Sequence, residues 1–185
     1  MKAGRWLGFM PDVPGYRLLI GGSFPFRLRR SNGPKMAEPD CPNDIAEVAN
    51  GLSRAWEFLS GEERMFQHVP QSDDALPIAE FSFYMPLKLR ADSRRGGVGV
   101  LIQRDDATLV AANMFGVATG QVRHDDLRDA CAEVCNVLTD CLAAHFGGGQ
   151  QVEIGLPREA GPEDYQIFSE SCVTKAVYQG CAASR

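Results

Sequence analysis

Glu133 and Asn136 are the two residues in this sequence whose types and spacing are best suited to chemistry. They lie three positions apart in a stretch with helical periodicity, so their Cβ atoms should be about 5–6 Å apart on one helix face. The Asn136 amide can donate a hydrogen bond to a water and accept one from it, while the Glu133 carboxylate can pair with a nearby cation. No histidine lies at helical spacing to activate a nucleophile. If the pair does chemistry, it would position a water rather than attack a substrate.

A solvated helix face carries the same residue types, so spacing alone leaves that interpretation open as well. A second pair with the same spacing, Glu47 and Asn50, is flanked by Asn43 rather than by an acid, so we treat it as a degenerate second site. The histidines form no His-x-x-x-His or His-Glu pair, and no two cysteines have C-x-x-C spacing. We therefore expect this chain to hold no metal.

The element that must position Glu133 and Asn136 is a predicted long helix. Asp125 or Asp126 should cap its start, and the glycines at 147–149 should end it. At about 100° per residue, a polar stripe of Asp129, Glu133, Asn136 and Asp140 lies opposite an apolar face. That face consists of Leu127, Ala130, Cys131, Val134, Leu138, Cys141, Leu142 and His145.

The other predicted elements indicate an α+β fold in which a mostly antiparallel sheet packs with two long helices and one short helix. The short helix should be capped by Asp105 or Asp106, with Gly116 as its stop, and Gly61 should follow the first long helix. In chain order we expect a helix over 43–59, a loop over 70–77, a strand over 79–89, a turn over 94–97, a strand over 98–102, the short helix over 105–115, the long helix, and strands over 152–156 and 171–178.

The N-terminal residues 1–35 differ from the rest, since their basic residues face one acid, Asp12, among scattered Gly and Pro. We predict that residues 1–40 are disordered or are a gene-model extension preceding a true start at Met36, and that the domain spans 41–185. A transit peptide has a similar composition, but the amphipathic helix is missing.

Composition narrows the class of protein further. The net charge of −5 argues against a nucleic-acid partner, which would need a basic patch. No stretch approaches the roughly 20 apolar residues of a membrane span, and the run at 18–20 is too short for a signal peptide. The 6 cysteines fit reduced, small hydrophobic residues of a cytoplasmic protein.

The run Asp129-x-x-x-Glu133-x-x-Asn136 resembles the signature of the CheC/CheX chemotaxis phosphatases, which is an acid or Ser, three residues, Glu, two residues and Asn. Its context is also similar: the strand over 97–102, the short helix ending at 114–116, an acidic linker and then the motif helix follow the order of that family. The strand and proline at 152–157 are similar to the segment that follows the helix in the family. The resemblance covers roughly residues 44–180.

The resemblance implies dephosphorylation of a response-regulator receiver, typically of the CheY type. Asn136 would orient the attacking water, Glu133 would contact the conserved lysine of the receiver, and the receiver rather than this chain would hold Mg²⁺. Asp129 marks the start of the motif. With one clear motif helix, the chain is more similar to CheX than to the two-site CheC, which implies a homodimer.

Two other interpretations stay open at this point. The chain could be a non-catalytic adaptor of the same fold that binds a receiver or a motor-switch protein. It could also be an unrelated α+β domain whose polar stripe is ordinary surface.

Overall fold

A computed structural model describes residues 17–22, 42–69, 79–89, 95–143, 152–161, 164 and 174–182. These residues form three α-helices, a single 3-10 turn at Thr119–Gln121, and seven strands. The helices are α1 (Pro42–Ser60), α2 (Arg104–Phe115) and α3 (His124–Ala143). The strands are β1 (Arg17–Gly22), β2 (Arg64–Val69), β3 (Phe81–Leu89), β4 (Arg95–Ile102), β5 (Val152–Ile154), β6 (Arg158–Glu159) and β7 (Thr174–Ala182).

The strands form one sheet in the order β2-β7-β1-β4-β3-β5, and β6 pairs with β3 beside β5. Every strand pair described is antiparallel. The predicted α+β fold is confirmed, as are two long helices of 19 and 20 residues and a short one of 12. The sheet is wider than the four predicted strands, because β1, β2 and β6 were missed.

The main core lies between the helices and one face of the sheet. Alternate residues of β3 face this core, since Phe81, Phe83, Met85 and Leu87 are all buried in the same cluster. Val98, Val100 and Ile102 of β4 belong to the same cluster as the buried sides of the three helices. Full burial of one large apolar side chain contributes about 1.5–3 kcal/mol, so this cluster sets how each helix is rotated against the sheet.

The prediction of disorder over residues 1–40 is wrong for β1. This strand lies inside the sheet, where its six residues pair with β4 on one side and with β7 on the other. Six residues are too few for a periodic pattern in a basic, Gly- and Pro-rich segment, and the pairing partners are far away in sequence. The domain therefore includes Arg17–Gly22 as well as residues after 41, and the rest of 1–40 lies outside the described residues.

The predicted hairpin is confirmed, but the predicted turn over 94–97 is wrong at Arg95, Gly96 and Gly97, which already belong to β4. Gly97 is needed here for space rather than for a bend. The Tyr84 hydroxyl donates to the Gly96 carbonyl at 3.1 Å, so its ring crosses the backbone of β4. A Cβ on Gly97 would lie 2.6 Å from Tyr84 Oη and would overlap the ring.

Gly97→Ala should therefore destabilise the protein by about 1–3 kcal/mol, the usual cost of overpacking a core. Gly51→Ala is the matched control, because a Cβ at Gly51 in α1 meets nothing within 4 Å. In the middle of a helix that change should stabilise by about 0.5–1 kcal/mol. Urea unfolding followed by circular dichroism measures both, and an unchanged midpoint for Gly97→Ala would refute the packing argument.

The C-terminal strand is longer and more central than we predicted. The predicted strand over 171–178 is β7, which runs from Thr174 to Ala182 between β2 and β1. Its partner β2 follows α1 directly and pairs through all six of its residues. The predicted loop over 70–77 lies outside the described residues.

A buried ion pair ties the first two helices to the edge of the sheet. Arg64 on β2 donates to Asp106 on α2 at 2.7 Å, and the two side chains are 14% and 11% exposed. The Arg64 guanidinium also lies over the Trp56 ring of α1, 5.3 Å from its centroid. The cap predicted at Asp105 or Asp106 is wrong, because α2 begins at Arg104 after Gln103 and Asp106 faces inward.

Burial raises the pKa of Asp106 even though the hydrogen bond from Arg64 acts to lower it. The desolvation of this carboxylate, together with the negative charges of Asp105 and Glu62, thus outweighs the stabilisation that Arg64 provides. The ion pair specifies how β2 and α2 meet more than it adds to stability.

Asp106→Leu should cost about 3 kcal/mol of unfolding free energy, because it leaves the Arg64 charge buried without its carboxylate. The double variant Arg64→Met/Asp106→Leu should recover most of that loss, since no buried charge remains. Thermal and urea unfolding of the two variants make the comparison. If the double variant were less stable than Asp106→Leu, the pair would be a net stabilising interaction and this account would be wrong.

Candidate functional site

Helix α3 carries the candidate site, and its start is defined by one aspartate. Asp126 Oδ2 accepts a hydrogen bond from the backbone N–H of Arg123, the residue before the helix, at 2.9 Å. The Arg123 guanidinium donates to both oxygens of the same carboxylate, at 3.2 and 3.1 Å. Of the two predicted caps, the structure selects Asp126, which acts from within the first turn. These bonds hold the pKa of Asp126 below its ordinary value.

The predicted apolar face of α3 is confirmed for the residues that the structure describes. Cys141 is half-buried, and His145 lies outside the described residues. Two further residues, Cys135 and Thr139, are fully buried although the sequence analysis did not place them on this face. The predicted residues that are buried are Leu127, Ala130, Cys131, Val134, Leu138 and Leu142.

The cysteines of α3 serve packing, as predicted. Burial raises the pKa of the Cys131 and Cys135 thiols to about 12, so neither is a thiolate near neutral pH. Both belong to the main core cluster. They are small apolar side chains that let α3 approach the sheet.

The polar stripe is graded rather than uniform. Asp129 and Asp140 are exposed, whereas Glu133 and Asn136 between them are half-buried. Asn136 Nδ2 donates to Glu133 Oε2 at 3.1 Å. A carboxylate can only accept, so the amide nitrogen must face Glu133, and Asn136 Oδ1 is directed away from it. The two residues thus form one preorganised unit.

This arrangement leaves two acceptors for other groups. Asn136 Oδ1 can accept a hydrogen bond from a water, and Glu133 Oε1 can pair with a cation. Neither residue is a nucleophile for covalent catalysis in this setting. The pair can orient a water and balance positive charge, which is the chemistry that its spacing predicted.

The second pair does not form such a unit. Glu47 and Asn50 are both exposed on α1, and within the described part of the chain neither makes a side-chain hydrogen bond. Asn50 borders a shallow hollow of about 390 Å³ with Arg54, Glu57 and Glu63, a mixture of charges without an evident ligand. A carboxylate and an amide at this spacing do not orient each other unless neighbouring packing restricts their rotamers.

A groove beside the stripe was not predicted. It separates the N-terminal half of α3 from β3 and β6, and the Arg128–Glu159 ion pair crosses it at 2.6 Å. On one side of this pair lies a hollow of about 450 Å³ that reaches Glu80 and His124. On the other side lies a hollow of about 310 Å³, which we call the Asp129 hollow and which is lined by Phe83, Asp125, Arg128, Asp129, Ala132 and Glu159.

The two residues of β6 point to opposite faces of the sheet. Only the side chain of Glu159 points toward the groove, where it forms the outer wall. The Arg158 guanidinium lies over the Tyr84 ring, 5.0 Å from its centroid. It donates two hydrogen bonds of 2.6 Å to the carboxylate of the buried Asp164. Glu159, opposite Phe83 in the strand register, therefore turns toward α3 and meets Arg128. No sequence pattern indicates this wall, because β6 is only two residues long.

The two histidines in the described part of the chain make no contact with Glu133 or Asn136. His124 is exposed at the first position of α3, and His68 contacts Tyr178 edge-on with ring centroids 5.5 Å apart. Among the described residues, no group of three or more His, Cys, Asp or Glu side chains could hold a metal ion.

Comparison with known proteins adds no family: no family model matches the chain, and no curated protein matches it either. Among the described helices, none is long and apolar enough to cross a membrane. The geometry of α3 and the signature in its sequence are therefore the features that indicate a function.

The cap on α3 gives a prediction about pH. The lowered pKa of Asp126 means that its ionised form is favoured in the folded state, so its contribution to stability is present above its ordinary value of 3.8 and is lost as pH falls through the lowered folded value. Asp126→Asn should therefore lower the unfolding midpoint at pH 7 and should differ less from the wild type as pH falls below about 4.

Asp125→Asn is the control, because Asp125 lies in the same first turn but makes none of these bonds. Thermal melts between pH 2 and pH 7 compare the two variants with the wild type. A difference between Asp126→Asn and wild type that did not change with pH would show that the carboxylate charge is not what caps the helix.

Proposed function

We propose that this protein is a CheX-like phosphatase that hydrolyses the aspartyl phosphate of a CheY-type response-regulator receiver in chemotaxis or two-component signalling. The observation that carries the proposal is the hydrogen bond from Asn136 to Glu133. It supports the assignment because the two residues to which the signature assigns a function are half-buried, are hydrogen-bonded to each other and are exposed on one side, where a partner can contact them.

In the proposed reaction, Asn136 Oδ1 accepts a hydrogen bond from a water and holds its oxygen in line with the phosphorus. The water oxygen forms a bond to phosphorus as the bond from phosphorus to the receiver aspartate breaks. The products are inorganic phosphate and the free aspartate. Such a reaction requires positioning and charge stabilisation rather than a nucleophile from the protein.

Glu133 has two tasks in this proposal. One carboxylate oxygen, Oε2, holds the Asn136 amide in the orientation that exposes its carbonyl oxygen. The other oxygen is open to the lysine of the receiver, and that contact would align the partner. Mg²⁺ belongs to the receiver, so this chain needs no metal ligands of its own.

The charge of α3 supports a receiver as the partner. The stripe presents the carboxylates of Asp129 and Glu133 with no basic residue between them. A surface of this kind favours the approach of a partner whose docking face carries lysine or arginine. We place the reaction in the cytoplasm and expect no membrane or nucleic-acid partner. The resemblance to CheX also favours a homodimer.

Asn136→Ala should abolish dephosphorylation while leaving the fold intact, because the side chain is half-buried at the edge of the core. Loss of one positioned polar group typically lowers the rate by about 10²–10³. The measurement is the rate of phosphate loss from a purified, radiolabelled receiver. Asn50→Ala, which removes the same amide from α1, should change that rate by less than about twofold, because we assign no role to Asn50.

Each result has a distinct meaning. Full activity of Asn136→Ala would show that the site is elsewhere. A wild-type protein that binds the receiver without shortening the lifetime of its phosphate would be an adaptor. A wild-type protein that binds no receiver would be an unrelated α+β domain.

A further inference from the structure

The Asp129 hollow lies where a partner docked on the motif must also make contact. Asp129 precedes Glu133 by four residues, so the two are about 6 Å apart along the helix axis and on the same side of it. Asp125 lies one turn further toward the N-terminus. A domain that covers Glu133 and Asn136 therefore extends over the mouth of this hollow.

The charges of the hollow are unbalanced. Its lining has three carboxylates, those of Asp125, Asp129 and Glu159, and one guanidinium, that of Arg128. Arg128 is already paired with Glu159 across the groove. Asp125 and Asp129 are exposed, and neither has a hydrogen-bond or ion-pair partner among the described residues. Two negative charges thus remain for a ligand.

The floor of the hollow is apolar. Phe83 is 5% exposed and lies beneath the groove, and Ala132 on α3 is half-buried at its side. A methylene chain that enters between them can pack on both while its charged end stays near the rim. Lysine and arginine are the side chains that combine such a stem with a positive charge.

We propose that the Asp129 hollow receives one lysine or arginine side chain of the receiver, and that this contact selects which receivers the phosphatase recognises. The inference rests on the proposed function, and it adds to it a role for Asp129 outside the reacting groups. A receiver with a neutral or acidic residue at this position would leave both carboxylates without a partner and would be disfavoured.

Substitutions in the hollow and in the motif should change different kinetic constants. Asn136 acts on bound receiver, so its removal lowers kcat. Asp125 and Asp129 act on association, so their removal raises KM and the receiver Kd while kcat stays near the wild-type value. An exposed ion pair contributes about 0.2–1 kcal/mol, so loss of two contacts removes about 0.4–2 kcal/mol and should raise Kd by about 2–30-fold.

The test compares Asp125→Asn/Asp129→Asn with Asp140→Asn. Asp140 lies on the same stripe and is exposed, but it does not border the hollow. The measurements are KM and kcat for dephosphorylation of a purified receiver, and Kd by calorimetry for the same receiver activated with beryllofluoride, at low and high salt. We expect the double variant alone to raise KM and Kd and to weaken the salt dependence of Kd.

Ala132→Met provides a second test that leaves charge unchanged. Its longer side chain should occupy the hollow and raise KM by a similar factor, because the methylene chain of a lysine or arginine can no longer enter. Circular dichroism spectra that match the wild type confirm that the variants fold.

The outcomes distinguish this proposal from the one on which it rests. The double variant removes two negative charges and Asp140→Asn removes one. If the double variant therefore raises log KM by only twice as much as Asp140→Asn, the stripe acts by general electrostatic attraction and the hollow is not a docking site. If Ala132→Met leaves KM unchanged, no side chain enters. If the wild type neither binds nor dephosphorylates a receiver, the proposed function itself fails, and the docking proposal fails with it. If it binds without hydrolysis, only the catalytic assignment fails, and the Kd comparison still decides whether the hollow receives a side chain.

Discussion

The burial of one side of α3 against the sheet is the constraint on which the rest of the structure depends. Leu127, Val134 and Leu138 are nearly or fully buried, and the same cluster includes the inward side chains of β3 and β4. This contact fixes the rotation of the helix, so the opposite side must face outward. Glu133 and Asn136 lie on that outward stripe but are half-buried, and they orient each other through a hydrogen bond. The same pair on α1 is exposed and makes no such interaction among the described residues.

Three arginines of the described residues are engaged by carboxylates within the protein. Arg123 is engaged by Asp126, Arg128 by Glu159, and Arg64 by Asp106. Each of these ion pairs either joins two secondary-structure elements or forms the start of a helix. The three guanidinium groups therefore stabilise the positions of helices and strands. Among the described residues, the carboxylates of the α3 stripe have no partners apart from the contact of Glu133 with Asn136. That imbalance is what makes a basic partner surface the best complement to this face.

Much of the helical structure could be predicted because its signals are local. The extent of α1, the start of α3, the hairpin of β3 and β4, and the glycines that end α1 and α2 with positive φ all follow from residues close together in sequence. The predicted end of α3 at the glycines over 147–149 lies outside the described residues. The failures have the opposite cause. β1 and β6 exist because distant strands pair with them, and Asp106 faces Arg64, 42 residues away, instead of capping α2. Gly97 suggested a turn but provides room for the Tyr84 ring.

The sequence by itself determined which residues share a face of α3, since the angle between successive residues is a property of the helix alone. It therefore placed Asp129, Glu133, Asn136 and Asp140 on one stripe. The resemblance of Asp129, Glu133 and Asn136 to a phosphatase signature also comes from the sequence alone. Only the tertiary structure decided how far each is exposed, that Asn136 bonds to Glu133, and that Asp129 borders a hollow. These features require Phe83 and Glu159 to be brought beside α3 by strand pairing, and pairing between distant segments leaves no periodic pattern in the chain.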